Sequence, residues 1–85
     1  MQEQLNNTPL FSTTDFYATA VLISKGHKVA KVESHHRDSK IKVFFFKKTP
    51  AISNLLMSYA NGDLAGNIRE FKNAIDTVKE LVHNS

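Results

Sequence analysis

The stretch KIKVFFFKKTP, residues 40–50, sets three consecutive phenylalanines between lysines, in a chain of 85 residues that holds six Phe and no Trp. A run so rich in aromatic and β-branched residues, closed by Thr49-Pro50, reads as a β-strand. Neighbouring strand residues point to opposite faces. Ile41, Val43, Phe45 and Lys47 therefore share one face, and Lys42, Phe44, Phe46 and Lys48 share the other. The first set reads as a core face that ends in a charge, with Phe45 inside. The second sets two rings between two ammonium groups.

Working outward, KVAKVES (residues 28–34) is a second strand, and the polar loop HHRDSK (residues 35–40) joins the two into a β-hairpin. A lone two-stranded hairpin is not stable in water, and both of its edges are open. Three arrangements answer this. Helices cover both faces, with the lysines as gatekeepers against aggregation. Two chains pair their hairpins edge to edge. Or the Phe44/Phe46 face stays open as a platform on which a base stacks. The pairing register is not fixed by the sequence, so the three stay open.

The charge pattern points the same way as the lysines of that strand. Residues 25–48 hold eight of the eleven Lys/Arg and two acids, Glu33 and Asp38, a local charge of +6, against −2 in residues 1–24 and −1 in residues 49–85. A basic stripe on one supersecondary unit is the electrostatic footprint of a polyanion partner. His27, His35 and His36 lie in the same segment.

Helices flank the hairpin. FSTTDFYATAVLISKGHK (residues 11–28) predicts a helix with Ser12 as N-cap, Asp15 completing a capping box and Phe11 with Phe16 forming a hydrophobic staple. It runs to about Lys25 and stops at Gly26. Its near-continuous apolar residues predict burial on most sides. TPAISNLLMSYANG (residues 49–62) predicts a second helix, capped by Thr49, with Pro50 at its first position and Asn61-Gly62 at its end. Ile52, Leu55, Leu56 and Tyr59 form its apolar face. A third helix follows DLAG, with Asn67 and Glu70 as a capping pair and a seam of Ile68, Phe71, Ile75, Val78 and Val82. Lys72 and Asp76 form an i, i+4 pair on its wet side. The expected fold class is α+β, in the order α-β-β-α-α: an antiparallel hairpin packed with three helices. Residues 1–10 are expected to be a disordered lead-in, ahead of a single domain over residues 11–85.

The chain offers little for catalysis. Without cysteine it has no disulfide, no thiolate zinc ligand and no thiol nucleophile, which suits a cytoplasmic protein. The N-terminal MQEQLNNTPL has neither a basic start nor an apolar run, so no signal peptide is read there, and no stretch reaches membrane-spanning length. Gly26, Gly62 and Gly66 punctuate helices and do not form a phosphate cradle. His35 and His36, adjacent in extended chain, are expected to point apart and not to share a metal. Tyr17 and Tyr59 read as core rings with hydroxyls at the rim. No catalytic residue, metal site or cofactor is expected.

The residues Thr14, Asp15, Phe16, Ala18, Leu22, Lys25, Gly26 and His27, then Tyr59, Asn61 and Gly62, and finally Phe71 form a pattern (TTDFY, KGH, YxNG). It resembles a family of small uncharacterised domains found in prokaryotic, phage and mobile-element genomes. The resemblance spans residues 11–83; Ala60 departs from it, where a larger aromatic would stand beside Tyr59. It implies no activity. It does imply a setting among replication and mobility functions, by association and not by mechanism.

These readings converge on an expectation: a non-enzymatic accessory protein that contacts DNA or RNA through the hairpin. Lys28, Lys31, Arg37, Lys40, Lys42, Lys47 and Lys48 are the expected phosphate contacts, and Phe44 is the expected stacking ring. The competing expectation is a homodimer or protein-interaction module, such as one docking on a larger replication protein. There Phe44 and Phe46 form the interface and no nucleic acid is touched.

Overall fold

The computed structural model describes residues 9–84, so the expectation for the first eight residues lies outside the described chain. In sequence order the elements are β1 (Leu10–Thr13), α1 (Phe16–Ser24), β2 (Lys31–Ser34), β3 (Lys42–Lys47), α2 (Pro50–Asn61) and α3 (Ile68–His83). The fold is α+β, with three helices packed on a sheet. The sheet has three antiparallel strands in the order β1-β3-β2, not two, because the segment before the first helix adds a strand. The Phe-rich strand is thus the central one.

β1 forms because Phe11 meets Phe46 across the β1–β3 ladder, in a register that also sets Leu10 against Lys47, Ser12 against Phe45 and Thr13 against Phe44. Ser12 is therefore a strand residue and not the helix cap, and Phe11 is a strand residue and not half of a staple. The cap is Asp15, whose Oδ1 accepts from the N–H groups of Tyr17 and Ala18 at 2.9 and 3.0 Å. A carboxylate at this position satisfies two orphan donors and complements the helix dipole. The ladder extends back to Pro9, whose carbonyl accepts from the Lys48 N–H at 3.1 Å, so Pro9 and Leu10 are part of the fold and not of a lead-in.

α1 is the central helix. Ala18 to Leu22 are all buried, as its unbroken apolar run predicts. Only Tyr17 breaks that expectation, at 54% exposure. Gly26 follows α1 with φ 95°, the left-handed conformation that ends a helix cheaply. The caps of α2 are as expected: Thr49 Oγ1 accepts from the Ile52 N–H at 3.4 Å, and Gly62 closes the helix at φ 75°. For α3, Asn67 Oδ1 accepts from the Glu70 N–H at 3.1 Å, and Lys72 pairs with Asp76 at 3.1 Å. Its buried seam is Ala74 and Val78, flanked by Phe71, Ile75 and Val82. Ile68 leaves that seam, at 88% exposure.

The core joins Ala20 and Leu22 of α1, Ile52 of α2 and Ala74 and Val78 of α3 to two residues of β3, Phe44 and Phe46. These two rings are 2% and 0% exposed. The faces of β3 are therefore the reverse of the expectation. Phe44 and Phe46 point into the helices, and Phe45 points away from them.

The register supplies the physical reason. The face of Phe44 and Phe46 receives Phe11 from β1 and Val32 from β2, four large apolar side chains in one layer. The face of Phe45 receives Ser12, Lys31 and Glu33, which bury poorly. Taken alone, β3 offers two comparable apolar faces. Summed over three strands, only one of them is a core.

Candidate nucleic-acid interface

All three helices pack on the Phe44/Phe46 side, and the other face of the sheet is open. At its centre lies Phe45, half-buried, with Ser12 opposite it on β1 and Lys31 opposite it on β2. Lys31 is exposed, and its ammonium sits 4.8 Å from the centroid of the Phe45 ring. The same ammonium lies 3.0 Å from Oε2 of Glu33, which stands opposite Val43 on the same face. Two residues beyond Phe45 along β3, Lys47 is exposed on this face beside Leu10. An aromatic ring thus lies on an open sheet between two flexible cations.

A shallow depression of about 610 Å³ adjoins the ring, lined by Ser12, Thr14, Glu33, His35, Val43 and Phe45 among others. Its far end holds the loop between β2 and β3. There the His35 and His36 rings stack, with centroids 4.5 Å apart and planes 24° apart, where extended chain predicts that they diverge. The turn explains the stacking: His35 Nδ1 accepts from the Arg37 N–H at 3.1 Å, and Asp38 Oδ1 accepts from the Lys40 N–H at 3.0 Å. No group of three or more His, Cys, Asp or Glu that could hold a metal occurs among the described residues.

Apart from Lys42, the basic residues of the hairpin fall in three sets. Lys31 and Lys47 share the open face with Phe45. Lys28 and Lys48 are exposed near the same end of the strands, and Arg37 and Lys40 are exposed at the opposite end, in the loop. Lys42 points to the helix side, where its ammonium donates to Ser34 Oγ at 3.1 Å. Strand parity turns Lys42 away from the open face, and Lys48, just past the end of β3, shares that parity. Apart from the Lys31–Glu33 pair, no carboxylate among the described residues lies within ion-pair distance of this cluster. The positive charge of the ribbon stands uncompensated by the helices.

Phe44 and Phe46 are sealed beneath the helices, so neither can stack on a base or meet a partner. The residue that sequence reasoning missed as a surface ring is Phe45. Lys31 and Glu33 share one parity in β2 and their face is a poor core, but only the β2–β3 register assigns Phe45 to that face.

A second concavity, about 360 Å³ and mainly apolar, lies between the end of α1, the α2–α3 loop and the start of α3. The Lys25 ammonium donates to the Ala65 carbonyl there at 2.6 Å, which ties the loop to α1. Lys25, Tyr59, Gly62 and Phe71 all line this groove. Asp15 caps α1, and Gly26 and Gly62 take positive φ. Asp15, Lys25, Tyr59, Gly62 and Phe71 of the resemblance thus lie in the helical layer, while Thr14 lines the depression beside Phe45. No helix among the described residues is long and apolar enough to cross a membrane.

No curated protein and no solved structure matches the chain. The family model of a domain of unknown function, DUF5659, matches residues 8–84, which is nearly the whole chain and both layers of the fold. The protein belongs to the DUF5659 family.

Proposed function

We propose that this protein is a small non-enzymatic accessory factor that binds single-stranded DNA or RNA across the open face of its sheet. Phe45 is the stacking ring, and Lys28, Lys31, Lys47, Lys48, Arg37 and Lys40 hold phosphates on either side. The observation that carries this reading is the position of Phe45. The ring is central on an uncovered sheet, between two lysines of the same face, inside a segment of local charge +6. Every base has a π-face and every linkage a negative charge, so a ring flanked by mobile ammonium groups complements a single strand without reading its sequence. A duplex hides its π-faces and offers only phosphates. Single strands are therefore the preferred ligand.

Binding exchanges partners on the ring. The Lys31 ammonium leaves the Phe45 face for a phosphate, and a base takes its place. An exposed cation–π contact is worth about 0.5–1 kcal/mol and an exposed ion pair no more. A stacked base is worth about 1–3 kcal/mol, so the exchange favours the complex. The setting that the sequence resemblance implies, replication or mobility of a phage or mobile element, is one in which single strands are exposed.

Fluorescence-anisotropy titration with single-stranded and duplex oligonucleotides, repeated over a salt series, tests the proposal. Tighter binding of the single strand, weakening steeply with salt, is expected. No binding of either at low salt would overturn it. A second reading, self-association, is favoured by the exposed Leu10 and Ile41 and by the outer edges of β1 and β2, which pair with no further strand among the described residues. It predicts a molecular mass in light scattering that grows with concentration and does not fall with salt.

A further inference from the structure

We infer that Glu33 selects the base that stacks on Phe45, in favour of bases with an exocyclic amino group. This rests on the stacking reading above and adds a preference that the ring alone does not confer. One ammonium, that of Lys31, both covers the Phe45 ring at 4.8 Å and neutralises the Glu33 carboxylate at 3.0 Å. A base that enters over the ring displaces this ammonium. The same event strips Glu33 of its partner and leaves a bare carboxylate beside the edge of the incoming base.

Of the residues that line the depression beside Phe45, Glu33 is the sole acid. An ionised carboxylate accepts hydrogen bonds and donates none. The N4 amino group of cytosine, the N6 amino group of adenine and the N1–H and N2 amino groups of guanine all donate to it. Uracil and thymine present a single N3–H between two carbonyl oxygens, which the carboxylate repels. The hydroxyls of Ser12 and Thr14 on the other wall donate or accept by rotation, so they accommodate either kind of base and discriminate little. His35 and His36 line the depression at its loop end, and Glu33 is the one lining side chain that accepts and never donates.

The test compares labelled oligo(dC) and oligo(dU) of equal length against the full chain by anisotropy. The two pyrimidines have the same ring size and differ in the amino or carbonyl group at C4 and the matching protonation of N3. The wild type is expected to bind oligo(dC) at least about fivefold more tightly, the lower end of the range for one well-placed base contact. Glu33→Gln, which can donate as well as accept, is expected to bring the two affinities to near parity and to raise both by removing a negative charge. Glu33 is exposed, and an unchanged circular-dichroism spectrum confirms that the variant is folded. Equal affinities in the wild type, or a preference kept in Glu33→Gln, would overturn the selection by Glu33 and leave the stacking reading standing. Failure to bind any oligonucleotide would overturn both.

Discussion

Lys31 and Phe45 stand opposite each other across the β2–β3 ladder, and the lysine ammonium caps the ring at 4.8 Å. The contact explains how an aromatic side chain is tolerated at the centre of an uncovered sheet. The ammonium lies over the ring and keeps its charge paired with Glu33 at 3.0 Å. In the proposed complex the ring face becomes available only when the ammonium finds a better anion.

The inside-out assignment of β3 has a direct consequence for stability. Phe46→Ala removes a fully buried ring and is expected to cost about 3–5 kcal/mol. Phe45→Ala removes a half-buried ring with cross-strand neighbours and is expected to cost at most about 2 kcal/mol. Urea denaturation of the two variants measures the difference. Equal costs, or the reverse order, would contradict the assignment.

The cap of α1 gives a second comparison. Asp15→Ala leaves the N–H groups of Tyr17 and Ala18 without their shared acceptor and is expected to cost about 1 kcal/mol. Ser12→Ala changes an exposed strand position and is expected to stay within about 0.5 kcal/mol of the wild type. Thermal unfolding of both variants decides which residue caps the helix.

At the end of α2, Gly62 takes φ 75°, and a Cβ added there would meet nothing within 4 Å. The expected penalty of Gly62→Ala is therefore conformational alone, about 1–2 kcal/mol. A shift of the urea midpoint with an unchanged slope is the signature of such a local cost.

What the sequence made legible, and what it hid, follows from the range over which each interaction acts. The caps Thr49, Pro50, Gly62 and Asn67 and the apolar face of α2 are local chemistry, and all lie where their residues predict. So does the burial of α1. The strand at Leu10–Thr13 was hidden because its Ser12 opens a Ser-x-x-Asp signature ending at Asp15, which resembles a helix start until Phe46 is known to lie opposite Phe11. The face of Phe45 was hidden for the same reason. Parity inside one strand says which residues share a face, but only pairing with β1 and β2 says which face the helices cover. Of the site, the basic ribbon was legible as charge, while the ring at its centre was displaced by one residue, from Phe44 to Phe45. The direction of Lys42 was lost with the same parity.

Salt dependence measures how many cations the ligand engages. If Lys28, Lys31, Arg37, Lys40, Lys47 and Lys48 each hold one phosphate, the logarithm of the affinity should fall against the logarithm of salt with a slope of about −4. Lys47→Ala is expected to flatten that slope by roughly 0.7 and to weaken all sequences alike. A slope unchanged by this substitution would remove Lys47 from the interface.

The central claim is that a single strand lies on the open sheet face with a base on Phe45. Its most direct test is an amide chemical-shift map of the labelled protein titrated with a single-stranded oligonucleotide at low salt. The account predicts perturbations centred on Ser12, Lys31, Glu33, Val43, Phe45 and Lys47, with the buried seam of α3 around Ala74 and Val78 unmoved. Perturbations confined to the helical layer or the Lys25 groove, or none at all at saturating oligonucleotide, would contradict it.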